Sequence, residues 1–219
     1  MNRMSSLILL LLISTIIYAQ EYRVGDHELI FMPTAYTMDK GSAYFSDYEL
    51  FFLNYTYAPT STTHVGLFTL FPITSDFLET ATVGVKQNLV RVTGVADAAW
   101  ATFTPKGSIL TIGDVVSIGK PSHGVHVAVS AITDLNSDNT DWYAVYMAGY
   151  RYDFSRKASL LLEYMNAQVL MDEGDFNGLI SIGIRFHSES IAWEIGGFRP
   201  LEETGDFFLF PIVKGTFLF

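Results

Sequence analysis

The final stretch of the chain, Asp206 to Phe219, places the tightest constraint on the fold. Every second residue counted back from Phe219 is apolar or small, whereas the interleaved series contains Lys214 and Thr216. Successive side chains of a β-strand point to opposite faces, so this pattern predicts a strand with one apolar and one polar face. Such a strand fits a wall between lipid and water. The alternative is a C-terminal core strand of a soluble domain.

The composition favours the membrane interpretation. Hydrophobic residues make up 49% of the 219 residues and charged residues only 16%, below the roughly 25% charged content of soluble domains. Yet no segment after residue 20 has the ~18 unbroken apolar residues of a spanning helix. A membrane barrel has this composition because its apolar residues alternate along strands. The formal net charge of −10 argues against nucleic acid as a partner.

Residues 1–19 have the features of a signal peptide. Arg3 supplies the positive start, Leu7 to Ile17 form the apolar core, and cleavage is expected near Ala19. The alternative is a retained anchor helix. The remaining residues, 20–219, are expected to form one domain in the outer membrane. The chain has no cysteine, which excludes disulfides, thiol catalysis and a lipid-modified cysteine.

Runs rich in Val, Ile, Thr, Tyr and Phe alternate with short clusters of Gly, Pro, Asp, Asn and Ser, as in strands joined by turns. The fold class predicted is all-β, a closed antiparallel transmembrane β-barrel of about twelve strands. The alternative is ten strands with residues 20–41 as an inner plug or arm. The predicted strands are 26–37, 42–57, 63–73, 78–89, 92–104, 108–118, 123–133, 142–153, 158–170, 178–187, 190–199 and 207–219.

The connections between these strands form two alternating classes. In the C-terminal half, long acidic connections alternate with short and often basic ones. Outer-membrane barrels have long outer loops and short inner turns, so both chain ends are expected on the inner side. The predicted outer connections are 38–41, 73–77, 104–107, 134–141, 171–177 and 200–206, and the predicted inner ones are 58–61, 87–91, 119–122, 154–157 and 187–190.

Aromatic residues stand where a membrane strand would need them. Trp142 and Tyr143 open one predicted strand, and Tyr150, Tyr152 and Phe154 close it. About ten residues at ~3.3 Å each, tilted by ~45°, cover roughly 23 Å. This is close to the ~25 Å apolar band of such barrels, so the aromatics are expected to form two interfacial girdles.

Two resemblances point the same way. The terminal residues Phe217 and Phe219 resemble the insertion signal of bacterial outer-membrane β-barrels, which implies recognition by the barrel-assembly machinery. The segments 33–41, 48–51 and 83–86, with sequences PTAYTMDKG, YELF and VGVK, resemble those of small outer-membrane β-barrel proteins of the Bacteroidetes group. The second resemblance implies a fold and a location but no activity.

Metal-binding and cofactor motifs are not found in the sequence. His123 and His126 are three residues apart in a predicted strand, so they point to opposite faces and a shared metal site is not expected. Asp172, Glu173 and Asp175 could hold calcium together with loop carbonyls, although a solvated acidic loop is the simpler interpretation. We therefore expect no metal and no cofactor.

Enzymatic motifs are also missing: there is no phosphate-binding loop, no HExxH and no nucleophile elbow. A hydrolase built on serine and histidine would need the pair on the outer surface of the barrel. Ser181, His126 and His187 are all expected to face the lumen instead. The chain is therefore not expected to be an enzyme.

Four charged residues are predicted to form a belt across the lumen side of the last four strands. Hairpin symmetry places Glu163 opposite Arg185 and Glu194 opposite Lys214, and the turn between them brings Arg185 near Glu194. Alternating charges satisfy one another, whereas a lone charge in a narrow barrel would be costly. The belt would act either as a structural zip that closes the lumen or as a constriction that selects solutes.

The function predicted from these observations is that of an integral outer-membrane barrel, either a small-solute pore or a structural barrel whose lumen is closed by charges. Its expected partners are outer-membrane lipid and the assembly machinery. The solute is not specified. The alternatives are an outer-membrane enzyme and a soluble secreted β-domain that binds a lipid or a protein.

Overall fold

The structure, a computed structural model, describes residues 22–49, 51–70, 79–120, 122–137, 141–166, 178–201 and 209–219. Within these residues, twelve antiparallel strands close into one barrel in which each strand pairs with its neighbours along the chain and β1 pairs with β12. This confirms the predicted fold class. The strands are β1 (Ala43–Tyr48), β2 (Phe52–Thr60), β3 (Thr63–Leu70), β4 (Thr82–Val92), β5 (Val95–Thr104), β6 (Ile109–Lys120), β7 (His123–Asp134), β8 (Tyr143–Ser155), β9 (Ala158–Met165), β10 (Leu179–His187), β11 (Ile191–Pro200) and β12 (Phe210–Leu218).

The two ends of the barrel differ in their connections. At the end that holds Tyr22 and Phe219, here called the proximal end, the connections are 61–62, 93–94, 121–122, 156–157 and 188–190. At the opposite, distal end they are 49–51, 71–81, 105–108, 135–142, 166–178 and 201–209. The predicted alternation of short and long connections is thus confirmed. The turn predicted at 87–91 is wrong, because β4 continues to Val92 and the chain turns at Gly94, which has a φ of 80°.

The outer face of the wall is mostly apolar, whereas the lumen face carries buried polar side chains. In β10, Ile180, Ile182, Ile184 and Phe186 are exposed, whereas Ser181, Arg185 and His187 are buried. In β12, Val213 is exposed while Lys214 and Thr216 are buried. This is the alternation predicted from the sequence. It places polar side chains in the lumen even though the surface of the protein is apolar.

The first two predicted strands require a correction. Residues 22–42, here called the plug, form no strand and contain a single isolated bridge, Glu28 with Pro33; residues 22–38 lie inside the barrel, whereas 39–41 are exposed at its proximal end. The segment predicted as one strand, 42–57, is instead the hairpin of β1 and β2. The alternative with an inner plug was therefore right about this segment but wrong about a ten-strand count. The connection predicted on the outer side at 38–41 lies at the proximal end, where Met38 packs against Tyr44 and Ala58.

The seam between β1 and β12 closes the barrel. The backbone N–H of Ala43 donates to the carbonyl of Phe219 at 2.7 Å, and the N–H of Phe219 donates back at 2.9 Å. Within the lumen, the hydroxyls of Ser46 and Thr216 on these two strands lie 2.9 Å apart. The last residue of the chain is therefore part of the closing ladder. Among the described residues, no helix is long and apolar enough to cross a membrane.

Candidate functional site

The tip of the plug packs against the lumen wall through apolar contacts. Leu29, Ile30 and Met32 are buried, and the wall residues packed around them include the small side chains Ala96, Ala98 and Ala128. Gly149 and Gly183 also face the plug. A Cβ at position 149 would lie 2.3 Å from Leu29 Cδ1, and one at position 183 would lie 3.0 Å from Ile30 Cδ1. The small wall residues thus provide the space that the plug occupies.

Three of the four residues of the predicted charge belt meet in the lumen. Arg185 lies opposite Glu194, and Glu194 lies opposite Lys214. The Arg185 Nη2 and Lys214 Nζ atoms lie 2.8 Å and 3.3 Å from the same oxygen, Glu194 Oε1. All three side chains are buried, with Arg185 fully inaccessible to solvent. The plug supplies a further carboxylate, since Glu28 Oε1 lies 2.8 Å from Lys214 Nζ.

The predicted pairing of Glu163 with Arg185 is wrong. Glu163 lies opposite Ser181, and Arg185 lies opposite Ser159. The midpoint between paired residues of β9 and β10 lies two positions earlier in the chain than the prediction assumed. The residue of β9 that faces a given residue of β10 is therefore four positions away from the predicted one. Glu163 is nonetheless buried in the lumen, where its carboxylate accepts the N–H groups of Phe31 at 3.1 Å and Met32 at 3.0 Å. Its partner is therefore the plug backbone.

Two cations of the belt, Arg185 and Lys214, bind plug carbonyls. Arg185 donates to the carbonyls of Gly25, Glu28 and Leu29 at 2.6–3.0 Å. Lys214 donates to the carbonyls of Leu29 and Ile30 at 3.1 Å and 3.3 Å. A buried backbone carbonyl without a partner would be costly, so these side chains allow a segment without secondary structure to occupy the interior.

Lys86 performs the same task on the opposite side of the lumen. Its Nζ donates to the carbonyls of His27, Thr34 and Tyr36 at 2.9–3.1 Å. An ammonium group has three protons to donate, and here each has a carbonyl acceptor on the plug. The belt predicted across the last four strands is thus part of a larger set of wall residues that surrounds the plug.

A second group of charges holds the plug at the proximal end. Arg151 Nη1 forms a buried ion pair with Asp26, and its Nε lies 3.0 Å from Asp153 Oδ1. Arg23 of the plug reaches the same Asp153 carboxylate at 2.7 Å. Positive and negative side chains therefore alternate along a chain that links plug and wall here, as they do at the belt.

Uncharged side chains hold the return limb of the plug. Ser117 Oγ accepts the N–H of Ala35 at 2.9 Å and lies 2.8 Å from His126 Nδ1. His64 Nε2 accepts the N–H of Met38 at 2.7 Å. Ser117, His64 and Lys86 were not predicted from the sequence, and His126 was predicted only to face the lumen, because no spacing relates a wall side chain to an irregular segment. The only available signal is that each is a polar residue on the lumen face of its strand.

His27 and Glu28 of the plug form one hydrogen-bonded cluster with Tyr22 and Tyr48. His27 Nδ1 lies 2.6 Å from the Tyr22 hydroxyl, His27 Nε2 lies 2.9 Å from Glu28 Oε1, and Tyr48 donates to Glu28 Oε2 at 2.9 Å. Burial lowers the pKa of His27 from 6.5 to about 4, although Glu28 opposes this shift. Burial alone would raise the pKa of Glu28, but Lys214 and His27 more than offset it and hold that pKa well below its usual value. The plug therefore contains a neutral histidine beside an ionised carboxylate.

The remaining predicted residues fall elsewhere. On the outer face, the ring of Phe217 packs against that of Trp193 with the ring centroids 5.9 Å apart. The Phe219 side chain is exposed. His123 is exposed and His126 buried, as expected for opposite faces, and Ser181 and His187 face the lumen. Positions 1–21, which include the predicted signal peptide, and the acidic loop with Asp172, Glu173 and Asp175 lie outside the described residues.

Comparisons with known proteins yield distant structural matches. No protein-family model matches the chain, and no curated protein matches it. A triple mutant of the Rhodopseudomonas blastica porin is 14% identical with a TM-score of 0.40, the match covering 77% of this chain and 55% of that one. A loop-deletion mutant of OmpT, an outer membrane protein of Vibrio cholerae, is 11% identical with a TM-score of 0.43, covering 77% and 62%. The chain thus spans less than two thirds of the length of these proteins, and a similarity this low carries no argument about its function.

Proposed function

We propose that this protein is an integral outer-membrane β-barrel whose lumen is closed by its own plug. The membrane assignment rests on the apolar side chains that the outer face of the wall exposes. Large apolar side chains are exposed on this face of strands around the barrel, as shown by Tyr55, Val65, Val85, Ile112, Val127, Tyr146, Ile182, Ile195 and Val213. Apolar patches of more than a few hundred Å² are rare on soluble monomers.

The soluble alternative is weakened by the placement of charge. Arg185, Lys214 and Glu194 are buried, while isoleucine and valine side chains of the same strands are exposed. A soluble barrel would reverse this arrangement, because burying charge is costly and exposing apolar surface gains nothing. In lipid, the same arrangement places apolar side chains in hydrocarbon and polar ones in the interior.

The contacts of the plug support the proposal of a closed lumen. Residues of β3, β4, β6, β8, β9, β10 and β12 donate to or accept from the plug. The zip interpretation of the belt is thereby favoured over a constriction that selects solutes, since Arg185 and Lys214 are occupied by plug carbonyls. No catalysis is included in the proposal, because His126 is engaged with Ser117 in the same set of contacts.

Membrane assembly and sidedness can be tested in cells. The protein should be recovered from the outer membrane and should migrate faster in detergent electrophoresis before boiling than after it. The absence of native cysteines allows single-site labelling. A membrane-impermeant thiol reagent should label Lys106→Cys at the distal end on intact cells, but should label Lys157→Cys at the proximal end only after lysis. Recovery from the soluble periplasm would reject the membrane assignment, and the opposite labelling pattern would invert the topology.

Closure can be tested separately by conductance across planar bilayers. The wild-type protein should be silent, whereas Arg185→Ala should conduct because three plug carbonyls and Glu194 lose their donor. The matched control is Ile184→Ala, which changes the adjacent side chain on the outer face and should remain silent. An open wild-type protein whose ion selectivity changes in Arg185→Ala would instead support the constriction. Silent behaviour with unaltered stability in Arg185→Ala would reject a closing role for the belt.

A further inference from the structure

The distal half of the lumen is lined by phenylalanine. Thr56 and Ala58 are buried and mark the lumen side of β2. Phe52 lies an even number of residues away from them in the same strand, so its side chain points to the same side. By the same argument Phe68 of β3, Phe198 of β11 and Phe210 of β12 lie on the lumen side. Phe52, Phe68 and Phe210 remain 43%, 37% and 37% exposed despite facing inward. Open aromatic surface inside a barrel is unexpected, because the lumen of such barrels is ordinarily polar.

Phe52, Phe68 and Phe198 line one cavity above the tip of the plug. Phe52 stacks on Phe68 with ring centroids 5.7 Å apart, and Phe198 stacks on Phe210 at 5.4 Å. Phe31 of the plug forms the floor and meets Phe198 edge-on at 5.9 Å. The cavity has a volume of 550 Å³ and is completed by Glu28, Tyr48, Glu49, Asn54 and Ile212. This volume lies within the roughly 300–1,000 Å³ of small-molecule sites, which are mostly apolar with a few polar groups.

The polar groups lie in a second cavity that continues from the first. This cavity of 190 Å³ runs between the plug and strands β2 to β5 and shares Phe31, Asn54 and Phe68 with the phenylalanine cavity. Its wall includes the uncharged hydrogen-bonding side chains of Asn54, Thr56 and Thr102 beside the ring of Trp100. Asn54 donates to the Tyr44 hydroxyl and accepts from Thr56. A molecule seated among the phenylalanines can therefore reach the Thr102 hydroxyl and the remaining hydrogen-bonding capacity of Asn54 and Thr56.

The charges near this second cavity already have partners. Lys86 donates its three protons to plug carbonyls. Glu28 accepts from Tyr48 through one oxygen and contacts Lys214 and His27 through the other. A charged group that enters the second cavity would therefore be desolvated without an available counter-charge, which is unfavourable. The exposed carboxylate of Glu49 lines only the phenylalanine cavity. The lining selects an uncharged ligand.

We infer that the distal half of the lumen binds a small neutral amphipathic molecule. Its apolar body lies among the phenylalanines, and its hydrogen-bonding end reaches Asn54, Thr56 and Thr102. The inference goes beyond the proposed function; it requires the plug to be in place but does not require a particular sidedness in the membrane.

Binding can be followed through Trp100 in the full chain reconstituted into lipid vesicles. The sequence contains three tryptophans, so Trp142→Phe and Trp193→Phe leave Trp100 as the reporter in the second cavity. Titration with 1-octanol should change Trp100 emission in a saturable manner. Octanoate, with the same chain and a charged end, should require at least about a tenfold higher concentration, equivalent to ~1.4 kcal/mol.

Matched variants separate site binding from partition into lipid. Phe68→Ser should weaken octanol binding about tenfold, ~1.4 kcal/mol, whereas Phe186→Ser on the outer face should leave it unchanged. Phe52→Ala, on the other ring of the same stack, provides a second measurement if Phe68→Ser does not assemble. A linear octanol response that is equal in the lumen and outer-face variants would overturn the site. Equal affinities for octanol and octanoate would overturn the selection for a neutral ligand. Failure of the conductance test with saturable octanol binding would reject closure while leaving this site intact.

Discussion

The two faces of the barrel wall differ in how specific their residues must be. On the outer face, Ile180, Ile182 and Ile184 of β10 are exposed and need only be apolar. On the lumen face of the same strand, Arg185 donates to Glu194 and to three carbonyls of the plug. A hydrophobic surface tolerates substitution of one apolar residue by another, whereas a buried charge depends on particular partners. The lumen face should therefore be the sensitive one.

The largest expected effect is that of Lys214→Met. This change removes the cation shared by Glu28 and Glu194 and the donor to Leu29 and Ile30. Removing one partner of a buried ion pair costs about 3–5 kcal/mol because the other charge stays buried. Urea unfolding in lipid vesicles would measure the loss, with Val213→Ala on the outer face as the control, expected to cost less than ~1.5 kcal/mol. Equal losses in the two variants would remove the distinction between the faces.

The sequence predicted the outer face better than the lumen, for a physical reason. Alternation with a period of two is a local property, so the apolar series of β10 and β12 could be recognised without knowing any partner. The plug segment Leu29-Ile30-Phe31-Met32 is an apolar run that suits a buried strand equally well. Its true position depends on wall residues far away in the chain, such as Lys86 and Glu163.

The hairpin between β1 and β2 was missed for a local reason. Its turn contains neither glycine nor proline, and Glu49 adopts a φ of 55°, which non-glycine residues seldom do. No turn signal therefore interrupted the predicted strand 42–57. The partner of Glu163 could not be predicted either. Hairpin symmetry gives the register only if the centre of the connection is known, and the connection between β9 and β10 is long. Arg185 and Glu194 flank a short connection, so their pairing could be predicted.

Overpacking against the plug should have the next largest effect. Gly149→Ala places a Cβ 2.3 Å from Leu29 Cδ1 and 3.0 Å from Met32 Sδ. Forcing extra atoms into a packed interior costs about 1–3 kcal/mol. The control is Ala148→Val, the adjacent position on the outer face, where the added methyl groups meet lipid and should not destabilise the barrel. Wild-type stability of Gly149→Ala in urea unfolding would mean that the plug tip does not occupy this position.

Two changes at Phe219 separate the seam from the terminal side chain. Deletion of Phe219 removes both backbone hydrogen bonds with Ala43, each contributing about 0.5–1.5 kcal/mol. Phe219→Ser keeps those bonds and removes only the exposed ring. If assembly recognises the terminal aromatic residue, both variants should reduce the amount of folded barrel in the outer membrane, as measured by heat-modifiable migration. Normal assembly of Phe219→Ser together with poor assembly of the deletion would assign the role to the seam alone.

A pH dependence should distinguish the plug from the wall. The pKa of His27 is lowered from 6.5 to about 4 in the folded protein, so the unfolded chain binds a proton at a higher pH than the folded chain does. Stability is therefore lost as the pH falls from 6.5 towards 4. His27→Gln cannot titrate and should lose less stability over this window in urea unfolding. Parallel pH profiles for the two proteins would show that His27 is solvated rather than buried in the plug.

The smallest expected effect tests an exception on the outer face. Asp114 lies near the middle of β6 on the side of Ile112 and Ile118, both exposed, where it borders Val127 and Val129 and is hydrogen-bonded to Asp97 of β5. A carboxylate at this position costs free energy if the outer face is in hydrocarbon, though less than the ~2–4 kcal/mol of a cation at the midplane. Asp114→Val should therefore raise the free energy of unfolding by about 1 kcal/mol, whereas Asp39→Val, at an exposed position of the proximal end, should leave it unchanged.

The same substitution on the lumen face, Glu194→Val, should destabilise the barrel, because it leaves Arg185 and Lys214 without their shared carboxylate. Opposite signs for Asp114→Val and Glu194→Val are what a barrel with lipid outside and paired charges inside requires; destabilisation by both would mean that the outer face of β6 contacts water or a protein partner instead of lipid.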